Sequence, residues 1–232
     1  MSAWKESKFK ILSEVDLNNK DILDIGCGDG WFLFWSHNFI KSGLGIDPSK
    51  EQINLAETRN NNNKISFKNI GAENISNINK KFDLIFYFNS FHHIPEKLMF
   101  ASLSQISKCM NIDGLLIIVE PIARGSFYDF MKEIDDEYYV RLKAYENILN
   151  CNKAKLMLKK EIFYEEIKSF NDYEQCIHFL KNVDKKRVSY IEENIAYIKN
   201  KFYDLANNNK NKFEFIQPMR MNILSLMKGE EK

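Results

Sequence analysis

Apolar positions along this chain alternate between two rhythms. Short runs bounded by turn residues stand at 21–25, 44–46, 65–67, 82–88 and 114–119, and between them apolar residues recur every three or four positions. Bounded runs read as buried strands and the longer spacing as amphipathic helix, so the order predicts parallel strands joined by helices. A leading helix is expected over residues 4–14, where Phe9, Ile11 and Leu12 stand among charged neighbours. Trp31-Phe32-Leu33-Phe34-Trp35 is apolar on every side, which predicts a deeply buried helix. Ser49 followed by Gln52 matches a capping box, and Pro95 stands where a helix can begin, with Leu98, Met99, Leu103 and Ile106 at helical spacing behind it.

After Ile122 the pattern becomes mainly helical. Phe127, Phe130, Met131 and Ile134 keep one apolar face, residues 159–168 read as a sixth strand, and residues 188–205 as one long helix. Residues 213–216 and 221–226 supply the last strand, bent at Pro218; the alternative pairs its two halves as a hairpin. The asparagine tracts at 60–63 and 207–209 mark loops.

Chemistry concentrates in the turn after the first run, Gly26-Cys27-Gly28-Asp29-Gly30, with Asp24 ahead of it and Gly45-Ile46-Asp47 closing the second run. Strand, glycine turn, helix and a second strand ending in an acid make a βαβ unit that presents a carboxylate to a pair of ribose hydroxyls. A dinucleotide site would show G-x-G-x-x-G, whereas this spacing is G-x-G-x-G, and Asp24 suits a ligand with a positive charge rather than a pyrophosphate.

The stretches D-I-G-C-G-D-G at 24–30 and G-I-D at 45–47 resemble the first two motifs of class I S-adenosylmethionine-dependent methyltransferases. The resemblance runs through the strand and helix order as far as residue 121, about half of the chain. It implies a Rossmann-like α/β sheet of seven strands in the order 3-2-1-4-5-7-6, the last strand antiparallel, with helical insertions forming a substrate lid. A single domain over residues 1–232 follows, with a core at 15–121 and helical inserts at about 122–158 and 170–211. The implied cofactor is S-adenosyl-L-methionine, with S-adenosyl-L-homocysteine as product. Its expected contacts are Asp24, Gly26, Gly28, Gly30, Asp47, Ala72, Glu73, Phe88 and Asn89. Gly71 stands where the family commonly has an acid facing the adenine amino group, which leaves Ala72 as a backbone contact and Glu73 as a substitute.

A methyl donor of this kind is already activated, so alignment of the acceptor supplies much of the catalysis, about 7–11 kcal/mol in favourable cases. Where the acceptor is a hydroxyl its proton must leave, and His93, then His92, in the loop after the fourth strand are the candidate bases. Phe91 and Tyr87 could face a sulfonium, but their place in a buried strand favours core. The Asn/Asp-Pro-Pro-Tyr/Phe loop of base and glutamine amino methyltransferases is replaced by Asn-Ser-Phe-His at 89–92, and no metal-ligand set is assigned.

Composition narrows the acceptor. In 232 residues, 33 basic against 32 acidic side chains give a net charge of +1, so no overall field favours nucleic acid. The aromatics Phe127, Tyr128, Tyr138, Tyr139 and Tyr145, with Arg124, Arg141 and Arg220, suit a small polar or anionic metabolite. The expected partner is therefore a small-molecule substrate, with a hydroxyl of a metabolite, lipid-quinone or sugar-nucleotide as acceptor, and no nucleic acid. A nucleic-acid or protein methyltransferase, or a non-catalytic S-adenosylmethionine binder, stays open. Four dispersed cysteines without C-x-x-C, no apolar signal core at the N-terminus and no run long enough for a membrane span predict a cytoplasmic protein with reduced thiols.

Overall fold

The computed structural model describes residues 4–227 and divides the chain into two compact units. Among the described residues one unit comprises 10–120, 142–162 and 220–227; the other comprises 4–9, 121–141 and 163–219. They are called the glycine-turn unit and the helical unit below.

The glycine-turn unit contains helix α1 (Lys5–Glu14) from Lys10 onward, then β1 (Asp21–Ile25), α2 (Trp31–Ser36), β2 (Ser42–Asp47), α3 (Lys50–Arg59), β3 (Ile65–Asn69), β4 (Phe82–Phe88), α4 (Glu96–Cys109) and β5 (Met110–Pro121) to Glu120. Helices α5 (Ser126–Met131) and α6 (Tyr138–Leu149) follow, then β6 (Leu156–Phe170), α7 (Tyr173–Val183), α8 (Arg187–Glu193), α9 (Ile195–Leu205), β7 (Asn207–Asn209) and β8 (Lys212–Leu226). Strand order among the described residues is β3-β2-β1-β4-β5-β8-β6, with β7 added beside β8. This is the expected methyltransferase order with one short extra strand. The pairs β1–β2, β2–β3, β1–β4 and β4–β5 are parallel, as strands joined through helices must be. Leu23, Ile25, Ile46, Phe82, Ile85, Met99, Leu103, Ile106 and Ile118 belong to one buried cluster of this unit.

The capping prediction at α3 holds: the Ser49 side chain accepts from the Gln52 N–H at 3.3 Å. Helix α2 departs from its expectation. Only Phe32 and Leu33 of its apolar residues are buried, because the helix lasts six residues; Phe34 packs on the buried Phe67 at 5.5 Å and Trp35 on the exposed Phe39 at 6.2 Å, and both stay half-buried. Tyr87 and Phe91 are wholly buried, Tyr87 bonding Ser102, so both are core.

In the helical unit the predicted long helix is two, α8 and α9, broken at Asn194. That residue sits at φ −123° and ψ 26°, and its Nδ2 donates to the Tyr190 carbonyl at 2.9 Å, a local bond that competes with helix propagation. The tract at 207–209 is a strand rather than a loop. Lys210 and Asn211 both adopt positive φ (49° and 63°), the conformation of a tight two-residue hairpin turn that pairs Asn209 with Lys212. Residues 212–226 form one continuous strand, which settles the choice against a hairpin at Pro218. The Pro218 carbonyl accepts from the Ile122 N–H at 2.8 Å and from Gln217 Nε2 at 2.9 Å, and Gly125 gives the ring room: a Cβ there would lie 2.5 Å from Pro218 Cδ.

The core of the helical unit is aromatic. The Phe202 ring meets Phe130, Tyr173, Phe213 and Phe215 at centroid distances of 5.1–5.9 Å and is fully buried. Phe202→Ala should therefore destabilise this unit by about 3–5 kcal/mol, the usual cost of deleting a buried ring. Denaturant unfolding followed by near-ultraviolet circular dichroism checks this; a loss under about 1 kcal/mol would mean the ring is not part of a packed core.

Candidate active site

The candidate site lies in the glycine-turn unit, at the carboxyl ends of β1, β2, β4 and β5. Binding sites of open α/β sheets form there because the turns leaving adjacent strands diverge. Asp24 lies opposite Gly45 in the β1–β2 register and is almost wholly buried, and its Oδ1 has no hydrogen-bond partner among the described residues. Burial, and then the charge of Asp47, push its carboxyl up to about 8. Asp47 ends β2 and is spoken for on each oxygen: Oδ2 accepts from the Gly28 N–H at 2.9 Å and Oδ1 from the Ser49 N–H at 2.8 Å. Each oxygen retains a further lone pair for a ligand hydroxyl.

The three glycines have different reasons to be glycine. A Cβ on Gly26 would lie 2.5 Å from Ser90 Cβ, and one on Gly30 would lie 2.6 Å from the Phe67 ring, so both positions are closed by protein. Gly28, at φ +53°, opens on free space, its nearest would-be neighbour being Gln52 Oε1 at 3.9 Å. Of the three, only position 28 leaves a ligand access to bare backbone by lacking a side chain.

The remaining expected contacts spread along the same edge. Phe88 is buried against Trp31 (4.6 Å, edge-on), which makes it part of the aromatic packing. Asn89 follows in the left-handed region at φ 52°, donates its N–H to the Val119 carbonyl at 2.8 Å, and has a buried Oδ1 with no partner among the described residues. Ala72 opens a short 3-10 turn, Ala72–Asn77, and packs against the core. Glu73 is exposed and folds back so that its carboxylate fills the space a Cβ at Gly71 would take; Asn74 Nδ2 donates to it at 3.1 Å.

The two histidines stand in opposite circumstances. His92 is buried and its Nδ1 pairs with Glu120 Oε2, while Glu120 Oε1 accepts from the backbone N–H groups of Phe91 (3.0 Å) and Ser90 (3.2 Å). Ser90 in turn donates its hydroxyl to the Ile25 carbonyl at 2.6 Å, which ties the loop after β4 to the end of β1. Burial alone would raise the Glu120 carboxyl, but the His92 imidazole and these donors hold it below its ordinary value. His93 is exposed, its ring centred 4.0 Å from that of His92. The Glu120 anchor was not assigned a role from sequence; its only signal was an acid closing an otherwise apolar strand. In the helical unit, Tyr128 donates to Asp136 at 2.7 Å and Arg141 pairs with Glu137 at 2.5 Å, so both are engaged within that unit.

Residues 22–114 match the family model described as a methyltransferase domain, a span that contains Asp24, the glycine turn, Asp47 and both histidines. Over this span the chain is similar to the class I S-adenosylmethionine-dependent methyltransferases. Among curated relatives it is similar to the tRNA U34 carboxymethyltransferase of Nautilia profundicola, 34% identical over 119 residues that cover 50% of this chain and 39% of the relative. It is also similar to the probable S-adenosylmethionine-dependent methyltransferase CRG1 of Saccharomyces cerevisiae, 28% identical over 146 residues, 60% of this chain and 49% of the relative. The chain thus spans half or less of the length of these relatives. Among solved structures, the YcgJ protein of Bacillus subtilis shares the fold, with a TM-score of 0.66 at 16% identity over 96% of this chain and 98% of that one. Among the described residues no helix is long and apolar enough to cross a membrane.

The family's cofactor, S-adenosylmethionine, combines a nucleoside, a sulfonium and an amino-acid end with an ammonium group. The residues present fit it: a buried carboxylate oxygen without a partner at Asp24, open backbone at Gly28, and remaining acceptor capacity on Asp47. With Asp24 raised from its ordinary 3.8 to about 8, the folded protein holds a proton that the unfolded chain releases, so stability should fall as pH rises between those values. Asp24→Asn removes that titration. Thermal unfolding of the variant should be flatter with pH than wild type and its advantage larger at the alkaline end, while donor affinity drops; identical pH profiles for the two proteins would show that Asp24 is not a protonated buried acid.

Proposed function

We propose that this protein binds S-adenosylmethionine at the β1–β2 edge and transfers its methyl group to a hydroxyl of a small acceptor. The observation that carries the reading is the pairing of the partnerless, buried Asp24 oxygen with the open backbone of Gly28, one suited to a cation and the other to a closely approaching ligand. Asp24 would take the ammonium group, Asp47 the ribose hydroxyls, and Asn89 Oδ1 a further donor of the ligand. Glu73, beside Gly71, supports the adenine contact expected there, with Ala72 offering backbone. Gly26 and Gly30 serve the same turn by letting it pack on Ser90 and Phe67. When bound, the cofactor supplies a methyl group already activated by the sulfonium. The protein's part is then alignment and removal of the acceptor proton.

For that proton the exposed His93 is the better placed imidazole. His92 is committed through Nδ1 to Glu120 and so fixes the loop that carries His93. A positioned base contributes on the order of 10²–10⁴ in rate. A small acceptor agrees with the net charge of +1, which gives no general attraction to a polyanion. A second reading, an RNA acceptor, is favoured by the carboxymethyltransferase relative, whose name assigns it to tRNA U34. Labelled-donor transfer to unmodified tRNA, set beside a panel of small hydroxylated acceptors, separates the two; label in tRNA alone would sink the small-acceptor reading.

Asp47→Ala should weaken donor binding by about 1.5–3 kcal/mol, the worth of a hydrogen bond to a charged group, and should also loosen the turn, because Gly28 and Ser49 lose their acceptor. Calorimetric titration with S-adenosylhomocysteine checks it, and unchanged affinity would remove Asp47 from the site. His93→Ala should keep donor affinity and lose on the order of 10²-fold in kcat. His92→Ala should instead destabilise the fold by about 3–5 kcal/mol, because it leaves Glu120 buried without its partner. Turnover alongside thermal unfolding tests the division: a His93 variant with full turnover, or a His92 variant of unchanged stability, would reverse it.

A further inference from the structure

Behind the loop of the two histidines, the glycine-turn unit holds a buried polar cluster that the donor reading does not use. Arg220 on β8 is nine-tenths buried, and its guanidinium carbon lies over the Tyr145 ring, 3.5 Å from the ring centroid. Nε donates to Asn222 Oδ1 at 3.0 Å. Asn222 Nδ2 donates to Glu161 Oε2 at 2.7 Å, and the Tyr145 hydroxyl donates to Glu161 Oε1 at 3.2 Å. Glu161 is therefore spent on its two donors and reaches Arg220 only at 3.9 Å, from Nε. Among the described residues the terminal nitrogens Nη1 and Nη2 make no hydrogen bond.

Neither terminal nitrogen is among the wholly buried polar atoms left without a partner, so both stay open to solvent or a ligand, while stacking on Tyr145 satisfies the face of the guanidinium but none of its N–H groups. The stack and the Nε bond fix the plane, so the outer N–H groups form a rigid fork matched to two oxygens on one atom. A lysine could neutralise charge there but could not present that fork. Burial lowers the Arg220 pKa, and Tyr145, Glu161 and Glu120 oppose this, which puts the guanidinium within electrostatic reach of the residue that anchors His92.

We propose that the Arg220 fork binds an oxyanion, a carboxylate or phosphate carried by the methyl acceptor, so that the substrate class is an anionic hydroxylated metabolite. The assignment to an acceptor rests on the methyl-transfer reading above; the anion seat itself does not.

The test titrates inorganic phosphate and, separately, acetate into the full-length protein at constant ionic strength, with thermal unfolding as readout and donor binding measured by calorimetry on the same samples. Wild type should gain a saturable rise in Tm from at least one anion. Phosphate alone would indicate a phosphorylated acceptor, acetate alone a carboxylated one. Arg220→Gln should lose the rise, and Arg220→Lys should keep only a weak part of it. Arginine side-chain ¹⁵N NMR on wild type needs no variant: one guanidinium should shift saturably with the same midpoint. No saturable shift up to about 50 mM anion, or an equal Tm rise in Arg220→Gln, overturns the anion seat. Donor binding without an anion response overturns this inference and leaves methyl transfer standing. An anion response without donor binding overturns the assignment to a methyl acceptor.

Discussion

Two carboxylates share the carboxyl edge of adjacent parallel strands, and only one of them is satisfied by protein. Asp47 closes β2 and accepts backbone N–H groups from both sides, while Asp24, one strand over, has a buried oxygen with no partner. Proximity and burial make the ionised form of Asp24 costly in the ligand-free protein, and a cation placed against its free oxygen would relieve both penalties at once. The glycine turn follows from this constraint. Its backbone must hand the Gly28 N–H to Asp47 and still leave room for a ligand.

The same logic separates scaffold from site. Gly26 permits contact with Ser90, whose hydroxyl reaches back to Ile25, and Glu120 collects the N–H groups of Ser90 and Phe91 together with His92. The loop after β4 is thus fixed from beneath by a buried hydrogen-bonded pair and bonded to the end of β1. A loop held this firmly presents His93 to solvent at a defined place, and that is what alignment of an acceptor requires. Arg220, stacked and hydrogen-bonded on one side only, has the same character: its support is complete and its outward donors are not.

Much of this was readable from residue order. Period and turn residues located β1, β2 and β4, because strands covered on both faces read as apolar runs, and the Ser49 cap announced α3. Asp24, the glycines and Asp47 were singled out through spacing along one βαβ unit, a local signal, and the fold brings them to one sheet edge. Features that depend on partners distant in sequence were not. His92 and Glu120 are 28 residues apart, and nothing in either neighbourhood says that they meet. Gly26 and Gly30 were expected as cofactor contacts, and a sequence does not show that a Cβ at either would run into Ser90 or Phe67. The break at Asn194 and the hairpin at 210–211 went unread for another reason. Asparagine competes with backbone hydrogen bonding and tolerates positive φ, so it is compatible with helix, loop and turn until the surrounding chain decides.

The account turns on Asp24 as a buried acid waiting for a cation. Its most direct test is the titration of the Asp24 carboxyl by ¹³C NMR in the wild-type protein, alone and saturated with S-adenosylhomocysteine, whose ammonium group should meet the free oxygen. The account predicts a titration near the elevated value of about 8 in the ligand-free protein and a marked fall towards the ordinary carboxylate range when ligand is bound. A carboxyl that titrates identically in both samples, with the ligand demonstrably bound, would contradict it.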